Sequence, residues 1–337
     1  MAAVPATYKA YTYESFGTVD ELVKIRDVPT EPLPAHRVRI QVHSAGLNPV
    51  DYKLVGGGGV LTGSTPTADK PYRMGFDPYR IGFDVAGTIV QVGPGVHPRH
   101  LKVGDQVYAM TSFTECGTVA EYVEIDQQYV ALKPTNLDFD QAASVPLVAL
   151  TSYQAFHEYT QLGRSGSSQR VLIIGGSGAT GMYAIQFAKL AGAHVIVTGS
   201  TKNEELLKSL GADTVIDYRT QKWVDVIEPH SIDIVCDCGF EPNAWNDGAQ
   251  TVLKKETGEY LTLLGVKNPI ASQFGATNHG GVLVLPSGLQ LQKIAKLFEA
   301  GKLKAIVDSV VPFEKALEGL ARVQSRHALG KVVVKVL

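Results

Sequence analysis

Cysteine is scarce in this 337-residue sequence, limited to Cys116, Cys236 and Cys238. The number is odd and the spacing fits no framework, which excludes a small secreted fold stapled by disulfides. Long apolar runs are missing as well; none reaches the ~18 to 20 residues of a membrane span. So is charge of one sign. The net charge is −2, which leaves no basic surface to grip a phosphate backbone and excludes nucleic acid as a partner. The opening residues, MAAVPATYKAYTYESFG, have neither a charged-then-apolar signal layout nor an Arg-rich transit pattern. A cytoplasmic location is the resulting expectation. Cys236 and Cys238 lie two apart in SIDIVCDCG, share one strand face and read as small buried apolar residues.

The composition that remains, 45% hydrophobic and 19% charged, is that of a folded chain, and its length suits two domains. The first third reads as β. VRIQVHSAG, GFDVAGTIVQVG, GDQVYAM and VAEYVEI alternate and are rich in Val and Ile, with Gly, Pro and Asp between them. From about Asp138 the period changes. FDQAASVPLVALTSYQAFHEYT reads as one helix, then RVLIIGG, HVIVTGS, TVIDY, SIDIVCDCG, EYLTLLG and VLVLP as strands, the first three separated by helices. That alternation predicts a parallel sheet of βαβ units. AIVDSVVPF, a helix over KALEGLARVQSR and KVVVKVL close the chain, and a final strand needs a partner in the N-terminal β region. The expectation is a discontinuous β-rich domain over 1–134 plus 302–337, with a nucleotide domain over 135–301 inserted into it.

The motif carrying most chemistry is RVLIIGGSGATGMYAIQFAKLAG, Arg170 to Gly192. Gly176, Gly178 and Gly181 fit G-x-G-x-x-G between an apolar strand and an amphipathic helix, the context that gives the pattern meaning. Gly176 is expected to make the tight turn, Gly178 to let backbone approach a pyrophosphate, and Gly181 to let helix and strand pack closely. Ser177, Ala179 and Thr180 complete the loop, whose N–H groups face the phosphates.

The second strand ends in Val197-Thr198-Gly199-Ser200-Thr201-Lys202-Asn203, without the carboxylate that binds a ribose 2′-OH in an NAD site. Ser200 and Lys202 suit a 2′-phosphate instead. Two charge-assisted hydrogen bonds of about 1.5 to 3 kcal/mol each would favour NADPH about a hundredfold or more. The lesser alternative for Lys202 is a solvated lysine behind a Ser200 N-cap. Tyr218, after TVID, suits either the adenine ribose or a half-buried strand position.

AGLNPVDYKL (Ala45 to Leu54), GFDVAGTIVQVG (Gly82 to Gly93), GDQVYAM, VAEYV, GGSGATG and the closing LGKVVVKV, taken in order, resemble the medium-chain dehydrogenase/reductase superfamily. Within it the chain is similar to the zinc-less quinone oxidoreductases. The resemblance implies a Rossmann doubly wound parallel sheet inserted into a GroES-like β-rich catalytic domain, an α/β protein with its cofactor between the domains. Zinc members carry ligands where this chain has Asn48, Phe83 and a residue near Leu147, and a set of Asn, Phe and Leu supplies no catalytic site. The four-cysteine lobe of zinc members is reduced to TSFTECGT with Cys116 alone. His97 and His100 in VHPRH read as solvated turn residues around Pro98.

Without a metal to polarise a carbonyl, the acceptor must take hydride readily, as quinones and enones do. The resemblance places Asn48 at the nicotinamide ribose, Thr151 beside the nicotinamide, Leu264 and Val266 as walls of its ring, and Lys331 near the cofactor. Tyr52 or Lys53 could give a proton or hydrogen bond to the acceptor oxygen. Packing for Tyr52, a surface pair of Asp51 with Lys53, and a solvated Lys331 stand as the alternatives. Enoyl-thioester reductases of the superfamily carry a catalytic Tyr where this chain has Gly56 to Gly63, which argues against that chemistry. The expected activity is NADPH-dependent quinone reduction, by one or two electrons. Enone reduction is the alternative, and an NADPH-binding sensor without turnover is the rival from another class. The apolar run Val282 to Pro286 is expected to be the last sheet strand and, in this family, to pair two copies; a homodimer is expected, with a tetramer as a further possibility.

Overall fold

The computed structural model describes residues 4–57, 79–97, 100–115, 117–164, 168–239, 241 and 243–337. The chain forms two compact units, Met1–Leu150 with Leu285–Leu337, and Thr151–Val284.

The first unit is built on a seven-stranded sheet. Val307–Pro312, Lys331–Lys335, Arg37–Leu47, Asp84–Val92, Gln106–Met110 and Val130–Leu132 follow one another across it, and Tyr122–Asp126 also pairs with Arg37–Leu47. The chain's last strand does find its partner near the start: Val332 lies opposite Leu47 and Lys335 opposite Ser44 in antiparallel register. Alternation along Arg37–Leu47 puts Val38, Ile40 and Val42 into the core with Val85, Ile89, Val107 and Ile125. A three-stranded antiparallel sheet, Lys24–Pro29, Thr7–Tyr13 and Tyr79–Arg80, accompanies it.

The second unit is a six-stranded, wholly parallel sheet in the order Thr214–Asp217, His194–Gly199, Arg170–Ile174, Ile234–Asp237, Glu259–Thr262, Thr277–Gly281. Strand order runs outward in both directions from Arg170–Ile174, the doubly wound pattern that binds ligands at the strands' carboxyl ends. No helix among the described residues is long and apolar enough to cross a membrane.

Three sequence expectations are corrected. The helix expected from Phe139 onward is two, Phe139–Ala143 and Pro146–Glu158. Asp138 and Gln141 cap the first reciprocally, and Pro146, lacking an N–H, starts the second. Val282–Pro286 is not a strand. The outer position belongs to the polar Thr277–Gly281, where His279 Nε2 meets Glu259 Oε1 at 3.0 Å across the strand pair. The units also divide at Leu150 and Val284 rather than at 134 and 301. The helix Gly288–Glu299 packs on the first unit's sheet: Tyr108 Oη donates to Leu291 O at 2.6 Å, and Asn136 Nδ2 to Phe298 O at 2.7 Å.

Candidate functional site

In the second unit the strand Arg170–Ile174 runs into a glycine turn and the helix Ala179–Leu190. The turn is made at Gly175, not at Gly176 as the motif suggests. Gly175 has φ +79°, and a Cβ there would lie 2.5 Å from Gly239 Cα. The neighbouring strand holds the turn, with Gly175 N–H donating to Thr198 Oγ1 at 2.8 Å and Gly176 N–H to Thr198 O at 2.9 Å. Gly178 is the N-cap and has no side chain to cap the helix, so a Cβ there would touch only Gly175 O, at 3.6 Å. Gly181 is packed against Gly175 O and Gly176 Cα, as expected. Ser177, Ala179 and Thr180 are half-buried around this open turn. Ser152 Oγ donates to Thr180 O at 2.8 Å, and Thr151 beside it is buried in the Pro146–Glu158 helix. An uncapped helix start with space above Gly178 fits a pyrophosphate.

The turn after His194–Gly199 carries Ser200, whose hydroxyl is buried and has no partner. A buried orphan hydroxyl costs free energy until something bonds to it, so a ligand oxygen fits there. Lys202 and Tyr218 are both exposed; Tyr218 lies beyond its strand rather than half-buried within it. The sheet also brings a carboxylate to this turn from the next strand. Asp217 accepts Thr201 N–H at 2.9 Å, Thr201 Oγ1–H at 2.5 Å and Arg219 N–H at 2.9 Å, and these bonds hold it well below the usual carboxylate range. A Cβ at Gly199 would meet Leu207 Cδ1 at 2.5 Å, so a side chain there would have to displace the end of Leu207. Leu264 is exposed after Glu259–Thr262, and Val266 packs on the core around Trp245 and Tyr260.

In the first unit four polar residues from three segments meet in the interior. Asn48, Asp51, Asp84 and Lys331 are all at most 2% exposed. Lys331 Nζ lies 2.7 Å from Asp84 Oδ2 and donates to Asn48 Oδ1. Asn48 Nδ2 donates to Asp84 Oδ2 at 2.8 Å, and Leu147 N–H to Asp84 Oδ1 at 2.7 Å. Asp51 accepts Asn48 N–H at 2.7 Å and Gly82 N–H at 2.8 Å, at the start of the helix Pro49–Val55. Complete burial outweighs these bonds and pushes its carboxyl up to about 7. The surface pair of Asp51 with Lys53 is therefore not formed, and Lys331 is an interior cation rather than a solvated one.

Tyr52 and Lys53 are half-buried on the same short helix, Tyr52 against the sheet's core. Burial, and then the positive charge of Arg326, push the Lys53 ammonium below its ordinary range. Phe83 and Leu147 lie in an apolar cluster with Val50, Leu54, Tyr79 and Phe113. At the positions that hold catalytic zinc in relatives, two side chains are thus hydrocarbon and the third, Asn48, has its amide engaged by Asp84 and Lys331. That donor set does not fit the metal. His97 and His100 are exposed with rings 5.4 Å apart. Cys116, Pro98 and the run from Gly58 to Gly63 lie outside the described residues. Cys236 and Cys238 are buried free thiols 3.6 Å apart, and the contact with Cys236, then burial, raise the Cys238 thiol well above its usual range.

Gly175, Arg219 and the two carboxylates Asp51 and Asp84 were not singled out as site residues by motif. A signal for Asp84 exists, since GFDVAGTIV sets one carboxylate at the head of an otherwise apolar strand. Asp217 and Arg219 had none, because their relevance depends on a neighbouring strand.

Two family models match the chain: the alcohol dehydrogenase GroES-like domain over residues 34–135, and zinc-binding dehydrogenase over 210–334. A 2-methylene-furan-3-one reductase of Solanum lycopersicum is 33% identical, over 98% of this chain and 80% of that protein. A chloroplastic NADPH-dependent alkenal/one oxidoreductase of Arabidopsis thaliana is 34% identical, over 99% and 81%. Among solved structures, the quinone oxidoreductase of Coxiella burnetii superposes with a TM-score of 0.83 at 28% identity, covering 98% of this chain and 100% of that one.

Proposed function

The chain belongs to the medium-chain dehydrogenase/reductase superfamily, in its quinone oxidoreductase group, and on that premise we propose that it uses NADPH to reduce a quinone without a metal. The observation that carries the metal-free part is the donor set: Phe83 and Leu147 offer no ligand atom and Asn48 is held by an ion pair. When bound, the cofactor supplies a hydride from C4 of its nicotinamide.

The chain's own residues have these parts. The turn at Gly175, Gly176, Ser177, Gly178 and Gly181, with the first N–H groups of the helix at Ala179 and Thr180, holds the pyrophosphate. Ser200 and Lys202 take the 2′-phosphate, with Arg219 as a third donor, and Tyr218 covers the adenosine. Asp217 does not oppose the phosphate, because its oxygens are occupied by Thr201 and Arg219. Thr151, Leu264 and Val266 wall the nicotinamide. Asn48 and Lys331 orient the reacting end, and Lys53 or Tyr52 donates a hydrogen bond or proton to the acceptor oxygen. A lysine whose ammonium is made more acidic by burial and by Arg326 suits proton donation.

A second reading is favoured by the printed activities of the two relatives above, both reductases of conjugated carbonyls. In it, hydride goes to the β-carbon of an enone and the same donor serves the enolate. Initial rates of NADPH oxidation with 1,4-benzoquinone, a naphthoquinone and a small enone, each repeated with NADH, separate the readings. Quinone turnover with little use of NADH is expected. Enone turnover alone transfers the proposal to the second reading, and tight NADPH binding without turnover on any acceptor makes the protein a sensor.

We also propose a homodimer. Among the described residues the outer strand Thr277–Gly281 has an unpaired edge, and Leu283, Leu285 and Leu289 follow it in sequence as exposed leucines. Light scattering at the mass of a dimer is expected, and a monomer overturns it. A cytoplasmic location rests on the sparse cysteine and on the free thiols of Cys236 and Cys238; fractionation of tagged protein with an organelle tests it.

A further inference from the structure

Asp84 has no exposed surface, yet its two oxygens reach three separate segments of the first unit. Oδ1 accepts the N–H of Leu147, in the first turn of Pro146–Glu158, and Thr151 lies one turn further along that helix. Oδ2 accepts Asn48 Nδ2, next to the helix that carries Tyr52 and Lys53, and it accepts Lys331 Nζ at the start of Lys331–Lys335. The first-unit candidates for cofactor and acceptor are all carried on segments that this carboxylate touches.

The pattern fixes the Asn48 amide chemically. Its Nδ2 faces a carboxylate and its Oδ1 faces an ammonium. A flipped amide would set oxygen against carboxylate and N–H against ammonium. Such a cluster is a poor choice for stability alone, since apolar side chains of similar volume often replace a buried ion pair with no loss.

We propose that Asp84 is a positioning residue for hydride transfer: through Asn48 and Lys331 it holds the helix bearing Tyr52 and Lys53 in one arrangement. The inference rests on the oxidoreductase reading above. A wild type without turnover on any acceptor overturns that parent reading, and is recognised before any variant is made.

Asp84→Asn keeps the side chain's size and one acceptor for Leu147, but turns an N–H toward Asn48 and Lys331. It is expected to lower kcat at least about tenfold. Equilibrium binding of NADPH without acceptor, read by fluorescence, is expected to change less than about threefold, because most cofactor contacts lie on the glycine turn. Lys331→Met is expected to lose a similar factor. The double variant Asp84→Leu/Lys331→Met is expected to lose no more than either single change, since groups acting as a unit are not additive. Its Tm is expected to fall below that of wild type, because the buried Asn48 amide loses Asp84 and Lys331 and the Leu147 N–H loses Asp84. The Asn48 side-chain amide protons of the apoprotein are expected to be protected from exchange in wild type and unprotected in Asp84→Asn. A folded Asp84→Asn or double variant with turnover within about threefold of wild type overturns the proposal, as does unchanged protection of Asn48. If no variant folds, the wild-type amide decides: protection supports the proposal and free exchange overturns it.

Discussion

In the second unit the polar machinery is a run of sequence neighbours, Gly175 to Gly181, around an uncapped helix start; in the first it is four residues gathered from three segments, Asn48 with Asp51, Asp84 and Lys331. The turn leaves its helix start without a side-chain cap and its space open above Gly178. The cluster is closed, and its donors and acceptors are spent on one another. The difference is that between a place made to receive and a place made to hold. A receiving site is stabilised when a ligand supplies the missing bonds. A holding site is complete before any ligand arrives, and its cost lies in burying charge.

The largest expected effect breaks the turn itself. Gly175→Ala puts a Cβ against the backbone of Gly239 at a φ that L side chains rarely adopt. A loss of about 4 to 5 kcal/mol is expected, read by urea unfolding. No comparable change at a holding residue acts through backbone shape, so a mild Gly175→Ala would erase the contrast.

The next effect is a pH test of the cluster. Asp51 is raised in the folded state to about 7, from an ordinary carboxylate value when unfolded. Between those two values the folded chain binds the extra proton, so this residue's contribution makes stability fall as pH rises, with the full penalty present above 7. The total is at most about 4 kcal/mol. In Asp51→Asn the Tm difference from wild type is expected to move in the variant's favour from pH 5 to pH 8. A difference independent of pH would mean that Asp51 is ionised throughout.

Gly178→Val separates receiving from folding. A side chain has room there, so Tm is expected to stay within a few degrees of wild type. NADPH affinity is expected to fall about a hundredfold, because the pyrophosphate can no longer approach the backbone. Lys202→Ala is a smaller step on the same side: discrimination of NADPH over NADH is expected to drop about tenfold, in a titration with both cofactors. Unchanged affinity for both would reassign Lys202 to solvent.

The smallest effect has two opposite signs. Ser200→Ala removes a buried hydroxyl that has no partner. The apoprotein is expected to gain about 1 kcal/mol of stability while its NADPH affinity weakens severalfold. The same sign in both measurements would show that the hydroxyl is not waiting for a ligand.

Much of this was legible in the sequence because it is local. Alternation in VRIQVHSAG and KVVVKV, the change of period near Asp138, and the strand, glycines and helix of Arg170 to Gly192 each specify their own structure through neighbours only. The errors also have local causes. Val282–Pro286 looks like a strand by apolarity, but the outer position is taken by Thr277–Gly281, which pairs through Glu259 and His279. Motif spacing assigned the turn to Gly176, whereas positive φ falls on Gly175.

The sequence by itself determined that the chain makes a parallel sheet of βαβ units and that a run of glycines joins one strand to the next helix, since hydrophobic period and glycine spacing are read from neighbours alone. Tertiary structure decided the rest. Only the sheet's closure on its final strand brings Lys331 to Asp84 and Asn48, and only the lateral pairing of Thr214–Asp217 with His194–Gly199 brings Asp217 to Thr201. Burial changes what those residues are. The same Asp51 would be an ordinary surface carboxylate in a loop, and becomes a group titrating near neutrality because desolvation acts on it from every side.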